Sequence, residues 1–302
     1  MSRHLKSPVH KVRLTSDPEE LFRNVDRALY QNDEPLATLG SVAHYLLMEH
    51  ARELGITVLL TGQGADELTC GYLKYLPFYE QDLLRQGRLF EAVRVGAGFV
   101  LNGTVWKQFT LAEARRYFPR MLLPRMVDIR GPRLRDCDSV LAIGLGSEGL
   151  VARQAADLAQ FSVPALLHWE DRMSMAQSRE MRVPFLDYRL VSTLLPMEPE
   201  WKLRDGWTKW VLQRAMEPFL PSQICWRKDK RGFTTPEAIW LASDLRPRVE
   251  RLLAEPMLRR RYAQYRHQSL RWPSMRAQDV LCPLLLELWA RLFSSSLSNS
   301  PV

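Results

Sequence analysis

Between Ile56 and Tyr72 the chain reads I-T-V-L-L-T-G-Q-G-A-D-E-L-T-C-G-Y, and this stretch constrains the fold more than any other. An apolar run rich in β-branched residues stops abruptly at two glycines, and two adjacent carboxylates follow. The pattern predicts a buried parallel strand over Ile56 to Leu60, a tight backbone turn, and a helix opening behind it. In open α/β sheets, ligands bind at the carboxyl ends of strands, where these residues would stand. Gly62 and Gly64 let a backbone approach a ligand closely. Asp66 and Glu67 suit a hard cation such as Mg2+, which keeps several waters and is usually shared with phosphate oxygens. The same stretch also satisfies a plain strand–turn–helix corner, with glycines for geometry and acids placed for the helix dipole. The turn alone does not choose between these readings.

Upstream, Asp17 to Tyr30 is predicted helical with Ser16 as its cap, and Thr38 to Leu54 forms a second helix closed by Gly55. Helix and strand therefore alternate into the glycine corner, as in α/β folds. His10 to Leu14 reads as a further strand. Beyond Tyr72 helical patterns dominate, punctuated by Pro119, Pro124 and Pro132, with a polar loop predicted at Gly131 to Ser139. The apolar stretch from Val280 to Phe293 is broken by Glu287 and Arg291. It is too short and too polar to span a bilayer, and it suits a C-terminal helix packed on the body of the domain. The Ser-rich tail over 294–302 is predicted to be disordered, which leaves 1–293 as one domain.

Three later segments decide between the readings of the corner. They are L-L-H-W-E-D-R-M-S-M-A-Q-S-R-E-M-R-V-P-F-L-D-Y-R-L from Leu166, T-K-W-V-L-Q-R-A from Thr208, and W-R-K-D-K-R-G-F-T-T-P from Trp226. Together with the corner, in this order and spacing, they resemble the synthetase domain of the asparagine synthetase family. The family pattern runs S-G-x-G-x-D-E-L-x-x-G-Y, E-D-R-x-S-M-A-x-S-x-E-x-R-V-P-F-L-D, K-x-x-L-R-x-A and R-x-x-K-x-G-F-x-x-P. The resemblance covers Asp33 to about Pro236.

It implies an adenine-nucleotide α-hydrolase-like parallel sheet with a large helical C-terminal portion. The implied reaction is ATP-dependent: the side-chain carboxylate of aspartate becomes a β-aspartyl adenylate, pyrophosphate leaves, and ammonia attacks to give asparagine and AMP. Such a site brings two anions together and so needs Mg2+ and fixed cations. The resemblance also implies ammonia delivered by a glutaminase domain or a partner chain; the expected cytoplasmic location and the expected lack of a nucleic-acid or membrane partner come instead from the cysteine, charge and apolar patterns. A homodimer is an assembly it allows.

By the same resemblance, Thr61, Gly62 and Gly64 contact the nucleotide, and Asp66 binds Mg2+ and pyrophosphate with Glu67 beside it. Lys209 neutralises phosphates and Lys230 stabilises charge during adenylation. A lysine suits both tasks because its ammonium is a compact point charge. Glu180 falls where related amide-forming enzymes keep an acid near the nucleophile. An ion-pair cluster of Glu180, Arg182 and Asp187 around the Val183-Pro184-Phe185 turn accounts for the same residues equally well. Asp33-Glu34-Pro35 suits a pocket lining or a loop entering a helix, and His44 and His168 read as packed side chains.

The departures are specific. No Gly-Gly pair occurs in the sequence, so the family's S-G-G-x-D-S phosphate loop is not found, and the chain is expected to start downstream of it. Ser2 follows Met1 where glutamine-using members carry a cysteine. Gln63 replaces the glutamate of well-known members, keeping the reach but not the charge. Two alternatives therefore stay open. One is another acyl-adenylate amide ligase, of β-lactam synthetase or peptide-cyclising type. The other is an inactive fragment or interaction subunit.

Composition excludes little. A formal net charge of +8 invites anionic partners. Yet the basic residues are interleaved with acids except at Arg259-Arg260-Arg261, and no nucleic-acid motif accompanies them. Cys70, Cys137, Cys225 and Cys282 are widely spaced and read as reduced thiols, and no Cys or His spacing is of zinc type.

Overall fold

The computed structural model describes residues 4, 6–15, 17–103, 149–228, 232–233, 235–254 and 277–293. Ser16, Cys137, Lys230, the 131–139 loop, Arg259-Arg260-Arg261 and the 294–302 tail lie outside these residues. The chain is mixed α/β and mostly helical, as the sequence predicts. It divides into two compact units. One comprises Met1–Val9, Leu60–Leu167 and Arg182–Arg231, and the other comprises His10–Leu59, His168–Met181 and Gly232–Val302.

Helix α1 spans Pro18–Asn32. Asp17 caps it by accepting a 3.1 Å hydrogen bond from the Glu20 amide, and Pro18 and two glutamates occupy the first turn. Helix α2 spans Gly40–Glu53 and has no cap of its own at Leu39. Glu237 supplies one from the far end of the chain: its Oε1 accepts from the Leu39 amide at 2.7 Å and from the Thr235 hydroxyl at 2.9 Å. Basic residues close α2, and Gly55 turns left-handed after it at φ 71°.

Strand β1, Val58–Leu60, pairs with β2, Glu180–Arg182. The Glu180 amide donates to Thr57 O and the Thr61 amide donates to Arg182 O, both at 2.9 Å. Partner numbers rise together, so the pair is parallel. The prediction of a buried strand fails here: Val58 is 38% exposed and Leu60 73%. A two-stranded sheet is too narrow to bury both faces of either strand. The strand expected at His10 to Leu14 is also not formed; that segment is irregular.

Helix α3 is short, Ala65–Leu68. After it come α4 (Leu76–Arg85), α5 (Leu89–Leu101), α6 (Leu150–Ala156) and α7 (Val163–Met175), with a π-helical turn at Asp157–Phe161. Then come α8 (Tyr188–Leu194), α9 (Trp210–Met216), α10 (Glu237–Ala242), α11 (Arg246–Ala254) and α12 (Ala277–Leu292). In one unit α1, α2, α10, α11 and α12 enclose a core of Leu21, Phe22, Val25, Val249, Leu281 and Leu285. In the other, Tyr75, Phe78, Leu83, Phe99, Leu150 and Leu203 form the core. No helix among the described residues is long and apolar enough to cross a membrane.

Candidate functional site

The glycine corner begins where Leu60 leaves β1. Gly62 has an exposed surface, and a Cβ added there would meet nothing within 4 Å, so a ligand can reach this backbone unobstructed. Gly64 turns left-handed at φ 86° and opens α3, whose Leu68 amide donates to Gly64 O at 3.0 Å. Glycine is required at Gly64 twice over, because a Cβ would also stand 2.2 Å from Leu186 Cδ2.

Asp66 stands on the first turn of α3, and Lys209 Nζ lies 2.8 Å from its Oδ1. Both side chains are about a quarter exposed, at 25% and 29%. This pair joins segments that are more than a hundred residues apart in sequence. Gly71 makes room for it: a Cβ there would sit 1.8 Å from Asp66 Oδ1 and 2.4 Å from Lys209 Cε. Lys209 itself is left-handed, at φ 57° and ψ 26°, and sits at the N-terminus of α9. That conformation costs a side-chain-bearing residue roughly 1–2 kcal/mol and persists only where surroundings hold it. Here the Lys209 amide donates to Thr69 O at 3.1 Å and the Trp210 amide donates to Lys202 O at 3.1 Å.

Glu67 is placed differently from Asp66. Its side chain is buried, accepts from the Ser162 hydroxyl at 2.8 Å and hydrogen-bonds Tyr72. Burial, and then the charges of Glu67, Asp66 and Asp157, push the Tyr72 phenol above its ordinary value. Glu67 thus faces inward while its neighbour faces the corner. Asp66, 25% exposed, is the accessible carboxylate of the two, Glu67 being 1% exposed, and no cluster of three or more metal-type side chains occurs among the described residues.

Behind the corner lies a buried polar layer. Asp157, on the π-helical turn, is fully buried. It accepts from the Tyr75 hydroxyl at 2.8 Å and from Arg153 at 2.7 and 3.1 Å, and it pairs with Lys74 at 2.9 Å. π-Turns often occur at functional sites because they displace a side chain from the helical register. Gln154 donates to Glu67 O and Leu68 O, the carbonyls that end α3, and accepts from Lys202 Nζ at 2.9 Å. Cys70, in the same layer, is buried, and burial pushes its thiol up to about 12.

The structure brings together Thr61, Gly62, Gln63, Gly64, Asp66 and Lys209 in one unit, with Glu67 beneath them. Glu180 is exposed on β2 and groups with the other unit. Asp187 does not complete the cluster suggested by the sequence. Its carboxylate is gripped by Arg189 at 2.8 and 2.9 Å and caps α8; the Arg189 hydrogen bonds hold it at about 2. Asp33 pairs with Arg172 at 3.1 Å, and Glu34 accepts from Trp169 at 3.3 Å with His168 3.4 Å away, so His168 faces a carboxylate. His44 is packed as expected: its Nε2 is buried with no hydrogen-bond partner among the described residues, and burial lowers it to about 4. Sequence reasoning missed Gly71, Gln154, Asp157, Ser162 and Lys202. Gly71 alone carried a signal, as the glycine of the quoted C-G-Y.

Comparison with protein families matches residues 1–291 to asparagine synthase. The chain belongs to that family, whose members carry out ATP-dependent amide ligation. It is 27% identical over 253 residues to asparagine synthetase (glutamine-hydrolyzing) 1 of Bacillus subtilis, covering 79% of this chain and 40% of that protein. It is 28% identical over 239 residues to a putative asparagine synthetase (glutamine-hydrolyzing) of Mycobacterium bovis, covering 74% and 36%. A more distant likeness, 20% over 284 residues, is to Amidase chry2 of Gibberella zeae, covering 82% and 42%. The chain therefore spans less than half the length of these relatives.

Proposed function

We propose that this chain supplies the nucleotide-activating part of an enzyme that makes asparagine from aspartate, through a β-aspartyl adenylate. The observation that carries the reading is the partly exposed Asp66–Lys209 pair beside a glycine corner whose Gly62 is exposed. A carboxylate and an ammonium held together, each partly exposed, are the two charges that a metal–polyphosphate needs: an oxygen ligand for the cation and a counter-charge for the phosphates. The donor set fits Mg2+, which one carboxylate and substrate phosphates suffice to hold. Bound there, Mg2+ would supply charge neutralisation for the polyphosphate.

In the proposed chemistry, a carboxylate oxygen of aspartate attacks the α-phosphorus of ATP as the bond to pyrophosphate breaks. Ammonia then attacks the acyl carbon, AMP leaves with the bonding pair, and the nitrogen loses a proton. The chain's own share begins with binding. Thr61, Gly62 and Gly64 present backbone to the nucleotide, and Lys209 exchanges its Asp66 partner for phosphate oxygen. Gln63 lacks a charge and serves as a hydrogen-bonding group. Asp66 is the proposed metal contact, and Glu67, held by Ser162 and Tyr72, anchors α3 beneath it. By the family motif, Lys230 would stabilise charge during adenylation and Glu180 would serve as an acid near the nucleophile. Ammonia would come from a glutaminase domain or partner chain, as the names of the relatives suggest.

ATP–pyrophosphate exchange tests the reading. The chain, alone or with an ammonia-supplying partner, is expected to exchange label in the presence of aspartate and Mg2+, and Lys209→Ala to abolish it. Exchange undiminished in Lys209→Ala would remove the pair from the mechanism. A related reading keeps adenylation but changes the acid, and the likeness to a protein named as an amidase favours it. Exchange driven by other carboxylic acids and not by aspartate would select it.

A further inference from the structure

Lys202 occupies an unusual place for a lysine. It is fully buried, and its ammonium donates to two neutral oxygens, Gln154 Oε1 and Leu195 O, both at 2.9 Å. Lysines are almost never fully buried unless something holds the charge. Burial pushes this one below the ordinary lysine value. An apolar residue would fill the position at less cost, so what the ammonium grips matters.

Through Gln154 it grips the end of α3. The Gln154 amide donates to Glu67 O and Leu68 O, carbonyls that a four-residue helix leaves without helical partners. The Lys202 main chain grips the other segment of the site, at the start of α9, because its carbonyl accepts from the Trp210 amide. The adjacent Lys209 amide donates to Thr69 O, one residue beyond α3. The segments carrying Asp66 and Lys209 are thus joined through Gln154–Lys202 and through Thr69–Lys209, in addition to their 2.8 Å pair. Lys209 is held left-handed within that clamp, as is Cys70 at φ 56°.

We propose that Lys202 is a positioning residue, which with Gln154 fixes Lys209 against Asp66 at the mouth of the glycine corner. The proposal deepens the nucleotide reading and rests on it for its functional meaning, although the clamp itself is testable without nucleotide. Lys202→Met keeps the length and apolar stem of the side chain while removing the grip. Amide hydrogen exchange followed by NMR should then speed up at least about tenfold at Lys209 and Trp210, with the amides of α4, in the same unit, unchanged. Binding of magnesium pyrophosphate, followed by calorimetry, should weaken about tenfold or more. In a Lys209→Ala background, Lys202→Met should add no further loss.

A uniform rise in exchange across the unit would mean that Lys202 serves general stability only, and would overturn the proposal. Losses that add independently in the double variant would do the same. Gln154→Leu cuts the brace from the other end, so it reads out the same clamp if Lys202→Met does not fold. Unchanged exchange at Lys209 and Trp210 in that variant would refute the clamp. Localised exchange in a chain whose unaltered form binds no magnesium pyrophosphate would leave the clamp standing and sink the nucleotide reading instead.

Discussion

Replacing Gly71 with alanine gives the sharpest test of the Asp66–Lys209 pair, because it inserts one methyl group between the partners and changes no charge. The added Cβ would stand 1.8 Å from Asp66 Oδ1, 2.4 Å from Lys209 Cε and 2.8 Å from Asp66 Cγ, where real Cβ atoms keep beyond 3.0 Å. The carboxylate oxygen must retreat by about 1.2 Å from that contact, and a 2.8 Å ion pair does not survive such a move intact. Gly71 is not left-handed, so the penalty is steric. A partly exposed pair is worth about 0–1 kcal/mol, and an off-rotamer side chain costs about 0.5–1.5 kcal/mol. The expected loss of stability is therefore about 1–2 kcal/mol, read from urea unfolding. Magnesium pyrophosphate binding should fall at least about tenfold, or ~1.4 kcal/mol. Gly62→Ala is the control: its Cβ meets nothing, so stability should hold within about 0.5 kcal/mol. Binding as tight in Gly71→Ala as in the unaltered chain, at measurably lower stability, would refute the claim that the pair forms the binding site.

Three further outcomes follow from other positions. Gly64→Ala combines a left-handed φ with a 2.2 Å approach to Leu186, and should lose about 2–4 kcal/mol in urea unfolding; a loss below about 1 kcal/mol would show that the corner yields. Asp157→Asn leaves Arg153 and Lys74 buried without their anion and should cost about 3–5 kcal/mol, whereas Asp66→Asn at the partly exposed pair should cost no more than about 1 kcal/mol; equal losses at the two sites would contradict the burial contrast. His44 is depressed to about 4 in the folded state, so below the ordinary histidine value the unfolded chain takes up a proton that the folded chain refuses. Stability should fall as pH drops from about 6.5 to about 4, by about 3 kcal/mol at most, and His44→Phe should flatten that slope in pH-dependent thermal melts; an unchanged slope would place the titration elsewhere.

The glycine corner was legible in sequence because its signals are local. A β-branched run, two glycines and a following acid pair each constrain only a few neighbouring dihedrals, and the structure places strand, turn and short helix there. The caps were partly legible. Asp17 supplies the cap of α1, one residue after the predicted Ser16; at α2 the Thr38 hydroxyl accepts from the Gly40 amide locally, while the Leu39 amide is held by Glu237, nearly two hundred residues away, where no window of sequence reaches. The exposure of Val58 and Leu60 was not legible either, since an apolar run has the same composition whether or not a second layer covers it.

The sequence by itself determined the family, through four ordered motifs, and with it the residue types gathered at the corner. It could not separate Asp66 from Glu67, because adjacent carboxylates look alike until a helix turns one outward and buries the other against Ser162 and Tyr72. Nor could it disclose Lys202, whose burial, left-handed neighbour Lys209 and Gln154 brace exist only once segments 65–70, 150–157 and 202–210 pack together. Local patterns encode backbone shape; which charges meet, and which lose their water, is decided by contacts between residues far apart in the chain.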